Sequence, residues 1–113
     1  MGNNINTWSN MHNVNLLLYI WDRQTLEESN NWALAYKKIK MPFIPFVGLE
    51  IDFALERNQK IKSIKWSIES NSFSCILENE FSRYGIDDPM FEEWLEYYEN
   101  HEWSIEGPYA KIE

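Results

Sequence analysis

Between Leu49 and Ile68 the chain carries a two-residue period that suits extended strands and no helix. Leu49, Ile51, Phe53 and Leu55 alternate with Glu50, Asp52, Ala54 and Glu56, and Ile64, Trp66 and Ile68 follow at the same spacing. A four-residue loop from Arg57 to Lys60 would pair Glu56 with Ile61, setting Phe53 opposite Ile64, Ile51 opposite Trp66 and Leu49 opposite Ile68, with Asp52 facing Lys65 on the other side. A two-residue turn at Ser70 and Asn71, Asn being tolerant of positive φ, would pair Ile68 with Phe73, Trp66 with Cys75 and Ile64 with Leu77. Both registers give one apolar face across three strands and place Glu50, Asp52, Lys65, Ser67, Ser72 and Ser74 on the opposite face. The expectation is an antiparallel β-meander over about residues 49–55, 62–69 and 72–79.

Elements on either side extend this to an α+β fold. Leu16 to Trp21 reads as a short buried strand. From Thr25 to Ile39 two signals compete. Thr25 with Glu28 is a capping box, and Trp32, Ala35, Tyr36 and Ile39 share a helical face, yet Trp32, Leu34 and Tyr36 also alternate as a strand would; helix is the preferred reading. Met41 to Gly48, with Pro42 and Pro45, leaves helical geometry because each proline biases its predecessor towards extended backbone. After Tyr84-Gly85, Asp87 or Asp88 caps a helix with Pro89 in its first turn, running over about residues 88–101. Phe91, Trp94, Leu95 and Tyr98 fall on one face of that helix, which is expected to pack on the sheet. Residues 104–113 form a closing edge strand or a loose end, and residues 1–13 a loose arm pinned by Trp8.

At 113 residues the chain suits a single domain burying roughly two thirds of its unfolded surface. Eighteen Trp, Tyr and Phe residues can fill one core without staples. The lone Cys75 forms no internal bridge, no Cys/His cluster offers a zinc site, and neither a signal peptide nor a membrane span is read, so a cytoplasmic setting is expected. No cofactor or metal is expected.

Candidate catalytic residues are few. His12 and His101 are the only imidazoles; two histidines and a lysine suit phosphodiester cleavage, but so acidic a chain repels RNA. Glu50 and Asp52 share a strand face as glycosidase carboxylates do, although a cross-strand Asp52–Lys65 contact explains one of them. Cys75, expected opposite Trp66 on the apolar face, behaves as a small hydrophobe. The sequence is read as that of a protein without enzymatic activity.

Charge points elsewhere. The net charge is −8, and residues 78–113 hold eleven carboxylates against two cations, whereas the first 77 residues hold seven acids and eight bases. On the expected helix Glu92, Glu96 and Glu99 follow at i, i+4 and i+7, with Glu93 and Glu102 beside them and no lysine or arginine among them. Unpaired like charges at these spacings cost roughly 0.2 to 0.5 kcal/mol each. A solvated, solubilising face explains them in part; a surface charged in advance for an Arg/Lys-rich partner explains their placement as well. The expected partner site is Asp87, Asp88, Glu92, Glu93, Glu96, Tyr97 and Glu99, with Tyr97 an aromatic anchor inside a carboxylate rim and Trp103 a further ring for the same use.

In its size, charge, mixed α+β pattern and lack of catalytic residues the chain resembles the small acidic immunity proteins of bacterial contact-dependent inhibition and polymorphic-toxin systems. That resemblance implies a stoichiometric inhibitor of a basic toxin domain, a nuclease by expectation, covering its active site or substrate groove, with no direct contact to nucleic acid or membrane. Two alternatives stand beside it: an acidic adaptor or DNA mimic that uses the same acids to bind a host nucleic-acid-binding protein, and a small enzyme built on His12, His101 or the Glu50–Asp52 pair.

Overall fold

A computed structural model describes residues 11–52, 58–82 and 90–112. The fold is α+β. Seven strands, β1 (His12–Trp21), β2 (Asn31–Met41), β3 (Glu50–Asp52), β4 (Asn58–Ser67), β5 (Ser72–Leu77), β6 (Glu80–Phe81) and β7 (Ser104–Ala110), accompany one described helix, α1 (Phe91–Asn100). The strand order is β3-β4-β5-β1-β2-β7, with β6 paired to β1. The β1–β6 pairing is parallel, with Ile20 opposite Glu80 and Trp21 opposite Phe81. The chain divides into two compact units, residues 1–16 with 38–77 and residues 17–37 with 78–113.

Strand β1 starts at His12, earlier than the expected residue 16, and buries every second side chain from Val14 to Ile20. This is the alternation of a strand with one face in a core.

The first unit buries Val14, Leu16, Met41, Ile61, Cys75 and Leu77. Its registers differ from the sequence expectation. In β3 Glu50 lies opposite Lys60, Ile51 opposite Gln59 and Asp52 opposite Asn58. Ile61 N–H donates to the Leu49 carbonyl at 2.9 Å and Gly48 N–H to that of Ile61 at 2.8 Å. Asn58 to Lys60 therefore belong to the strand rather than to a loop. Phe53 to Arg57, which include the expected Phe53–Ile64 and Glu56–Ile61 partners, lie outside the described residues. The β4–β5 turn is also wider than expected: Ser67 faces Ser72, Trp66 faces Phe73 and Ile64 faces Cys75. Asn71 does adopt positive φ, at 51°, but as the last residue of a four-residue connection. Two hydroxyl contacts hold that connection, Ser70 N–H to Ser67 Oγ at 3.4 Å and Ser70 Oγ to Ser72 Oγ at 2.7 Å.

A bulge between Ile61 and Ser63 adds one residue to β4. It lets Ile61 and Ile64, three positions apart, present the same face to Leu77 and Cys75. Because β3 pairs only with the start of β4, the far end of β4 lacks a described neighbour on that side; Trp66 is 50% exposed and Ile68 76%, against the expectation that both fill the core. Cys75 is fully buried, and burial pushes its thiol above the ordinary 9.0.

The second unit buries Leu18, Ile20, Ala33 and Ala35 from strands, and Phe91, Trp94, Tyr98 and Trp103 from α1 and its exit. Helix α1 packs against β7. Residues 31–41 form β2, which corrects the helix expected over 25–39. Half of the capping box is nevertheless made: Glu28 N–H donates to Thr25 Oγ1 at 3.1 Å, while the Glu28 carboxylate accepts from the Thr25 hydroxyl, also at 3.1 Å. It closes a single turn, with Ser29 N–H donating to the Thr25 carbonyl, before Asn31 enters the sheet.

The C-terminal segment is the closing strand of the two options. β7 runs antiparallel to β2, and its register shifts between Trp32–Tyr109 and Leu34–Glu106, so the extra residue falls at Gly107-Pro108, where a missing N–H costs no ladder bond. Gly107 has φ +104°, and a Cβ there would lie 3.2 Å from Tyr109 N and 3.3 Å from the Trp32 carbonyl oxygen. Gly107→Ala is expected to lower stability by about 1–2 kcal/mol in urea unfolding. Gly48→Ala, at φ +92° with nothing within 4 Å, carries backbone strain alone and should cost less.

Candidate protein-binding surface

Helix α1 begins at Phe91 behind Met90, which makes no side-chain cap. The expected caps Asp87 and Asp88, with Pro89, lie outside the described residues. Phe91, Trp94 and Tyr98 are buried and Leu95 half-buried, as the stripe implied. Their rings form a stack: Trp94 lies 5.7 Å from Tyr98 with planes 27° apart, and Tyr98 meets Trp103 edge-on at 5.5 Å. Trp103 is thus a core residue and not the exposed anchor expected from sequence.

The opposite side of α1 carries Glu92, Glu93, Glu96 and Glu99, all exposed. Among the described residues no lysine or arginine forms an ion pair with them. Tyr97 sits half-buried at the margin of this face, edge-on to Trp94 at 5.8 Å and 4.6 Å from the His101 ring. His101 Nδ1–H donates to the Tyr97 carbonyl at 2.7 Å. The last turn of α1 has no basic residue of its own, and Lys37 of β2 takes that role by donating to the His101 carbonyl at 3.2 Å. Lys37 Nζ also stands 5.8 Å from the Trp103 ring centroid. One cation from a strand thereby offsets the negative helix end where Glu99 lies.

A cleft of about 290 Å³ opens beside the start of α1, between Asp22, Ser82, Glu92 and Pro108. Asp22 is 7% exposed. Its Oδ1 accepts from Asn30 N–H at 2.8 Å and its Oδ2 from Asn31 Nδ2 at 3.0 Å. Burial pushes this carboxyl up, but the hydrogen bonds from Asn31 and Asn30, with the Arg23 charge 3.7 Å away, outweigh it and hold the group below its ordinary 3.8. A depressed native pKa contributes stability that is complete above the unfolded value and lost as pH falls through the native one. Stability should therefore decline from about pH 4 downwards, and Asp22→Asn should flatten that acid limb in urea titrations compared with wild type. Sequence reading passed over this residue; its signal was a short polar connection, Asp22-Arg23 to Asn30-Asn31, between two strands.

The remaining candidates have structural surroundings. His12 meets Phe73 edge-on at 6.1 Å in the first unit. Glu50 Oε1 accepts from Asn58 Nδ2 at 2.8 Å, and Asp52 faces Asn58 rather than Lys65. Cys75 faces Ile64 rather than Trp66. Among the described residues no group of three or more His, Cys, Asp or Glu is arranged to hold a metal ion, and no helix is long and apolar enough to cross a membrane. No protein-family model matches the chain, and neither the curated proteins nor the solved structures contain a significant match.

Proposed function

We propose that this protein is a cytoplasmic bacterial immunity protein, binding a basic toxin domain, a nuclease by preference, and covering its active site or substrate groove. The observation that carries this reading is the exposed face of α1, where four glutamates stand without a described cation beside half-buried Tyr97. Keeping like charges together on one helix costs free energy that an Arg/Lys-rich partner returns on docking, and the same field speeds encounter. Asp87 and Asp88 add charge to the same end of the sequence. The protein acts by occupancy, without chemistry of its own.

The test is growth protection. Cells expressing a toxin nuclease encoded beside this gene should survive when the chain is co-expressed, and the purified pair should bind more weakly as salt rises. Absence of protection, with tight salt-dependent binding to a host DNA-binding protein instead, would replace this reading with that of a DNA mimic.

A further inference from the structure

Asp22 is a buried carboxylate that lines the cleft, and each of its oxygens accepts one described hydrogen bond, which leaves acceptor capacity to spare. Its hydrogen bonds from Asn30 and Asn31 are made by neutral groups, and its one described ion pair, to Arg23, is long at 3.7 Å with the arginine side chain 41% exposed. Such a contact contributes little. The adjoining cleft brings a second carboxylate, Glu92, from the first turn of α1. It also brings Ser82, which is 5% exposed and whose buried Oγ has no hydrogen-bond partner among the described residues. A buried hydroxyl without a partner is costly and uncommon in folded proteins. The walls beside these groups are apolar, from Met90, Phe91 and Pro108.

Two carboxylates and an unsatisfied hydroxyl between apolar walls match one common side chain. Arginine has an aliphatic stem for the walls and a planar fork of donors for carboxylates, with no acceptor to conflict with them. We infer that this cleft receives the guanidinium of an arginine side chain, its head against Asp22 and Glu92 and its stem along Met90 and Pro108. Arg23 lines the same cleft and donates from Nη1 to the Asp22 carbonyl at 3.0 Å, so the incoming head must displace this contact or share the carboxylate with it. Only the source of that arginine, a basic partner, rests on the function proposed above.

The experiment needs no partner. N-acetyl-L-arginine methylamide is titrated into the isotope-labelled full chain and backbone amide shifts are followed, with the norleucine analogue and inorganic phosphate as parallel probes. Saturable shifts confined to the amides of Asn31, Ser82, Glu92 and their neighbours are expected from the arginine probe alone. Glu92→Gln, a surface change on a helix, should weaken that response by about two- to fivefold, the range of an exposed ion pair. The inference is overturned by an equal response to norleucine, by a response to phosphate in its place, by no response, or by Glu92→Gln leaving the titration unchanged. A flat titration combined with salt-dependent toxin binding would remove the cleft and leave the proposed function intact.

Discussion

If the proposed basic partner docks on α1, replacing Glu93, Glu96 and Glu99 together by lysine should slow its association by about 10- to 100-fold at low salt, the scale of electrostatic steering, and leave the dissociation rate much less affected. The three side chains are exposed and unpaired among the described residues, so the substitutions remove no native contact there. Lysine has nearly the helix propensity of glutamate, and a cation at position 99 suits the negative end of α1. The fold should therefore survive, and Glu92, which lines the cleft, is left in place. Stopped-flow association at several ionic strengths is the measurement. Wild type should slow steeply as salt rises, and the triple variant hardly at all or in the opposite sense. Equal rates for both would show that the partner docks elsewhere on the molecule.

The second large effect is on stability. Trp94→Ala should cost about 3–5 kcal/mol, the range for deleting a buried aromatic ring, against a total of about 5–15 kcal/mol for a typical domain. Trp94 is 5% exposed and is gripped by Tyr97 and Tyr98 on α1. Removing it leaves a cavity in the stack that holds the helix and unseats the acidic face with it. Urea midpoints read the loss directly. Trp66→Ala is the control, since at 50% exposure the same chemical change should cost less than about half as much. Comparable losses at both positions would mean that exposure does not rank these tryptophans.

Which parts of this structure were legible beforehand follows from the range of the forces involved. The helical stripe of Phe91, Trp94 and Tyr98 was legible because periodicity encodes which face is buried, and the strand through Leu16 to Ile20 because so short an apolar run with aromatic residues favours strand over helix. The hydrogen bond from Glu28 N–H to Thr25 Oγ1 that the capping-box reading implied is made, but it starts no helix. A cap satisfies only local donors, whereas residues 31–36 pair with β7, a strand 70 or so residues away, and this tertiary pairing prevails over local preference; the fully buried face is that of Ala33 and Ala35, with Trp32, Leu34 and Tyr36 half-buried opposite. Register failed where it hung on loop length. Counting alternation alone could not show that Gly48 and Leu49 join the ladder at Ile61, nor that Lys62 sits in a bulge. The glutamates of α1 were found because they cluster in sequence, and the cleft was missed because Asp22, Ser82 and Glu92 come from three separate stretches that only folding brings together.

The lone thiol at position 75 gives the protein a built-in clock. Sheltered in the first unit and slow to ionise, it should react with an alkylating reagent only during excursions that open that unit, whereas in a chain with Trp8→Phe and Trp66→Phe the remaining tryptophans, Trp21, Trp32, Trp94 and Trp103, all report on the second. Running both signals along one denaturant gradient asks whether the two units melt as a single cooperative body: coincident curves mean that they do, and staggered ones identify the weaker partner.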